Sequence, residues 1–67
     1  MEQKCTADLK KGDFVVFADM VDEVQSIMVD EGIVRVDVIR RKIGGTEVNV
    51  PMAWYAGAKS FQNVQIK

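Results

Sequence analysis

The sequence predicts an all-β domain, on three observations. Apolar residues recur with period two along most of the chain, most plainly at Val34, Val36 and Val38, with Arg35 and Asp37 pointing the other way. Tight-turn residues separate the alternating runs, Asp30-Glu31-Gly32 before this one and Gly44-Gly45 after it. Finally, 67 residues with 48% hydrophobic and 28% charged side chains match a globular domain and not a disordered tail, and a chain this short closes a single small core.

In chain order, residues 1–8 read as a flexible polar lead-in and residues 9–67 as one β domain. Leu9 opens onto Lys10-Lys11-Gly12-Asp13, a glycine turn, and Phe14-Val15-Val16-Phe17 is the first strand. Residues 22–29 place Val24, Ser26 and Met28 on one face and Gln25, Ile27 and Val29 on the other. Because both faces carry apolar side chains, a short helix over 21–29 in an α+β fold is the alternative to a strand. Residues 33–40 form the half-buried strand already described. Arg41-Lys42-Ile43-Gly44-Gly45 turns it into a hairpin with 46–50, and Pro51, which has no N–H to donate, ends that strand. Met52-Ala53-Trp54-Tyr55-Ala56 then reads as a single 3₁₀ or α turn stopped at Gly57, and Phe61 to Ile66 as the last strand. The predicted inner face is Val34, Val36, Val38, Val48 and Val50, closed by Phe14 or Val15 with Val64 and Ile66.

Five strands, tight hairpins and one helical turn before the last strand add up to a small antiparallel barrel. Leu9-Lys10-Lys11-Gly12-Asp13 before an apolar strand resembles the entry strand of Src-homology-3-like barrels. Val50-Pro51, followed by an aromatic-bearing turn and a short last strand, resembles their end. The resemblance runs from about Leu9 to Ile66 and implies a five-stranded barrel. Peptide-binding members of that family hold a polyproline helix between paired aromatics. Here the N-terminal segment has no aromatic residue, so the resemblance carries the fold and not that activity.

The composition narrows the function. There is no histidine and a single cysteine, Cys5, so neither an internal disulfide nor a zinc site can be built, and a reducing, cytoplasmic compartment is expected. No apolar run has the length of a membrane span. No catalytic set, phosphate loop or cofactor motif is present, so no catalytic residue, metal or cofactor is expected and the chain is read as a non-enzyme. A formal net charge of −1 speaks against a protein that coats nucleic acid. The charge is unevenly spread, however. Residues 19–31 hold five acids and no base, while 32–67 hold six bases against two acids. The acids read as a solvated rim, and a two-sided molecule can orient a charged partner or a second copy of itself.

Arg40, Arg41 and Lys42 form the one basic cluster, read as a hairpin tip. Met52, Trp54 and Tyr55 offer the aromatic and thioether surface common where proteins dock. These six residues are the expected partner-binding site. The expected function is that of a free-standing interaction module which binds and modulates or assembles another cytoplasmic protein, with a homo-oligomer as one form of this. The alternative is a nucleic-acid-binding barrel, using the same cations with Lys10 and Lys11 beside the aromatics.

Overall fold

Alternation and turn chemistry build six strands. A computed structural model of the chain describes residues 1–66; Lys67, the last cation of the basic C-terminal half and the end of the predicted domain, lies outside the described residues. The strands are β1 (Glu2–Cys5), β2 (Phe14–Phe17), β3 (Met20–Asp30), β4 (Ile33–Ile43), β5 (Thr46–Gly57) and β6 (Phe61–Val64). The strand pairings among the described residues are antiparallel, in one sheet of order β1-β6-β2-β3-β4-β5. The all-β expectation therefore holds, but the closed five-stranded barrel does not: the sheet has six strands and is open, with β1 and β5 at its edges.

Two hairpins follow the turn signals. Glu31 and Gly32, at φ of 49° and 80°, join β3 to β4, and Gly44 and Gly45, at 58° and 81°, join β4 to β5. Two consecutive residues with positive φ match the right-handed twist of the flanking strands. The β2–β3 hairpin turns at Ala18-Asp19, where Ala18 takes φ of 52° without a glycine to advertise it.

Residues 20–30 are a strand and not a helix, and a bulge explains why both faces looked apolar. Val24 faces Val38 and Ser26 faces Asp37, so Gln25 is an extra residue that shifts the phase of the alternation. Val24 is fully buried before the bulge, and after it Ile27, opposite the buried Val36, packs on the same core.

The turn expected over residues 52–56 is likewise absent. β5 runs through Pro51 to Gly57 because it is an edge strand, where a missing N–H on the open side breaks no ladder bond. The one 3₁₀ turn among the described residues lies instead at Thr6–Asp8, before β2. The lead-in that shows no strand signal forms β1, the sixth strand, paired with β6 from Glu2 opposite Val64 to Cys5 opposite Phe61. Polar groups hold it there. Thr6 N–H donates to the Ser60 carbonyl at 2.8 Å, and its buried hydroxyl donates to that carbonyl at 3.1 Å while accepting from Gln62 Nε2 at 3.2 Å. The Cys5 thiol donates to the Ala58 carbonyl at 2.8 Å.

The core consists of Leu9, Val15, Val24, Val34, Val36, Val38 and Val64. The three valines of β4 and Val64 are thus where the alternation places them, and Val15 faces inward in preference to Phe14. Val48 is half-buried, whereas Val50 and Ile66 are exposed. They are left outside because no further strand packs over the β5 edge and because β6 ends at Val64.

The turn before β2 is pinned by Asp13. Its Oδ2 accepts from Lys4 Nζ at 3.0 Å and from the Lys10 N–H at 3.1 Å, while the Asp13 carbonyl accepts from Val24 N–H at 2.8 Å. Burial alone would raise its pKa, but the hydrogen bonds from Lys4 and Lys10 and the charges of both lysines outweigh it, so the carboxyl sits below its ordinary value.

Two outcomes follow from this packing. Val36→Ala should lower stability by about 1–3 kcal/mol through lost burial and the cavity left behind, read by urea denaturation; an unchanged midpoint would mean that the faces of β4 are wrongly assigned. Because the folded pKa of Asp13 is depressed, its unfolded form binds the proton first as pH falls. Its contribution is therefore complete above about pH 4 and lost as pH drops through the lower folded value. Asp13→Asn should flatten that acid limb in melting scans; an identical pH profile would remove Asp13 from the account.

Candidate functional site

The bend of the sheet at the β3 and β4 bulges brings β2 and β6 round to face β5 across a groove of about 310 Å³. Its floor is polar and its walls are apolar. Asp22 of β3 and Arg40 of β4 are opposed in register. Arg40 donates from Nε to Asp22 Oδ1 at 2.8 Å and from Nη2 to Oδ2 at 3.0 Å, a two-pronged ion pair. Trp54 of β5 adds its Nε1–H to Oδ2 at 3.2 Å. A buried carboxylate thus has three donors, and no buried side-chain polar atom of the described residues is left without a partner. The Asp22 hydrogen bond raises the Arg40 pKa further, despite the opposing effect of burial, so the guanidinium stays charged.

Around this floor stand Val15, Ala56 and the half-buried ring of Trp54. Phe17, 66% exposed, stands at the mouth with Met20 and Gln62 beside it, while Tyr55 borders the groove from the edge strand with its side chain on the other face of β5, opposite Arg35. Apolar walls over a saturated polar floor suit an apolar or aromatic side chain with a few hydrogen-bonding atoms. Among the described residues, no three His, Cys, Asp or Glu side chains gather as a metal site, and no helix is long and apolar enough to cross a membrane.

Of the six residues expected to bind a partner, the fold brings Arg40, Trp54 and Tyr55 to this one groove. Met52, Arg41 and Lys42 do not line it. The basic cluster lies within β4, ahead of the Gly44-Gly45 tip. Arg41 is the extra residue of the second bulge and donates from Nε to Glu23 Oε1 at 2.9 Å and from Nη1 to Asn49 Oδ1 at 3.3 Å. Lys42 is exposed opposite Glu47. The acidic and basic stretches that look two-sided along the chain are therefore knitted together where β3 pairs with β4, through Asp22–Arg40 and Glu23–Arg41.

Sequence reasoning missed Asp22, Phe17, Met20 and Gln62. Asp22 is hidden in an acidic run that reads as a solvated rim; the signal that sets it apart is its place in the alternation, on the same face as Val24. Phe17 and Met20 flank the unmarked Ala18-Asp19 turn, and nothing local marks Gln62. No protein-family model, curated protein or solved structure matches the chain, so the site rests on its own geometry.

Proposed function

We propose that the chain is a non-enzymatic interaction module, and that it docks a segment of another polypeptide in the groove between β5 and the β2–β6 wall. The observation that carries this reading is the groove's chemistry: exposed Phe17 at its mouth, Trp54 inside, and a floor whose one carboxylate is already saturated by Arg40 and Trp54. An exposed aromatic beside a preformed recess gives desolvation energy at low conformational cost, the pattern of docking hot spots. The nucleic-acid alternative is weaker on the same geometry, since two of the three cations of the basic cluster are already held by carboxylates.

The test is selection of a random linear peptide library on the immobilised chain. Recovered peptides should carry a large apolar or aromatic residue. Phe17→Ala and Phe17→Asp, both with parental melting curves, should each weaken binding about tenfold or more. Peptides that bind both variants as they bind the parent would place the docking surface elsewhere, and a selection that enriches nothing would sink the reading.

A further inference from the structure

We propose that the partner this site accepts is a second copy of the same chain, added antiparallel along the free edge of β5; the inference rests on the groove being a docking site. β5 is a twelve-residue strand bonded only to β4, and Val48 to Ala58 contain no charged residue. Natural sheets protect such edges with charge, bulges or a covering element; here Pro51 and the register shift that sets Val48 and Asn49 opposite Arg41 blunt the first half of β5, and Met52 to Gly57 are left open.

The orientation of the edge can be read from one hydrogen bond. Ala58 N–H donates to the Gly32 carbonyl at 2.7 Å, continuing the register in which Gly57 faces Ile33 and Ala56 faces Val34. Even-numbered residues of this stretch therefore direct their backbone groups at β4, and Ala53 and Tyr55 direct theirs outward. Pro51 falls on the outward set, as a proline in a ladder should.

Charge complementarity selects the register. Glu47 and Lys59 are the nearest charges on either side of the uncharged run, both exposed and neither in an ion pair among the described residues. Parallel pairing would set like charges together. Antiparallel pairing about a two-fold axis at Ala53 brings each Glu47 to the end that carries the other copy's Lys59. In that register the two Ala53 residues exchange N–H and C=O bonds, and their small side chains let the strands meet. Tyr55 N–H donates to the Pro51 carbonyl across the axis, and the tyrosine ring lies over the proline. On the inner face, Met52 comes beside the other copy's Trp54, and Val50 beside its Ala56. The exposed apolar residues of β5, Val50, Met52 and Tyr55, are covered together, and each copy adds Met52 to the other's groove.

The experiment is sedimentation equilibrium of the full chain over a wide concentration range. A reversible dimer is expected, weakened at least about threefold by Glu47→Lys or by Lys59→Glu, and restored to within about twofold of the parent when both changes are combined. Ala53→Arg, an exposed substitution that sets two like charges on the axis, should leave the melting curve unchanged and the chain monomeric. A monomer at every concentration overturns self-pairing, as does a dimer indifferent to all of these variants. A monomer that still captures groove-binding peptides overturns self-pairing while leaving the docking reading intact. A dimer with charge rescue that captures no peptide supports self-pairing.

Discussion

One buried carboxylate organises this small sheet. Asp22 collects both prongs of Arg40 and the indole N–H of Trp54, and in doing so ties together β3, β4 and β5. An ion pair taken out of water gains little net stability over apolar side chains of the same shape, but losing either partner leaves an uncompensated charge and costs about 3–5 kcal/mol. The interaction therefore acts as a selector of register. Slipping β4 by two residues would set Asp22 against Val38 or Lys42, and slipping it by one would turn its valines to solvent. Bulges flank the pair, with Arg41 extra on one side and Gln25 on the other, so the register is held where the ladder is most irregular.

The bend at those bulges has a functional consequence. A flat six-stranded sheet would hold β2 and β5 apart, separated by two strands. Curled, it sets Val15 and Phe17 across from Trp54 and Ala56 and leaves a groove where a closed barrel would have bonded strands. The same opening leaves the outward backbone of Ala53 and Tyr55 without a neighbouring strand. Groove and edge are thus two aspects of one fact, that the sheet stops at β5.

What could be read from the sequence was what depends on local periodicity. The valines of β4, the Gly44-Gly45 hairpin and the turn at Asp30 to Gly32 each have a signal within a few residues, and all are where it points. Long-range polar contacts left no such trace. β1 is held by Thr6 and Cys5 against Ser60 and Ala58, more than fifty positions away. Pro51 misled because its effect depends on whether the strand is an edge, which no local pattern reveals. The site was half legible for a similar reason. Arg40, Trp54 and Tyr55 drew attention by type, but that Arg41 would be turned away to Glu23 depended on a bulge, and that Asp22 was structural depended on the face it shares with Val24.

A double-mutant cycle at Asp22 and Arg40 tests the central claim most directly, with urea denaturation of the parent, Asp22→Asn, Arg40→Gln and the double variant, and with Trp54, the only tryptophan, as the fluorescent reporter. If the carboxylate is the node, each single change leaves a buried charge or donor unmet. The double variant should then be less destabilised than the sum of the singles by about 0.5–3 kcal/mol. Additivity within about 0.5 kcal/mol would contradict the account, since the pair would then be two independent surface groups and not what holds the groove.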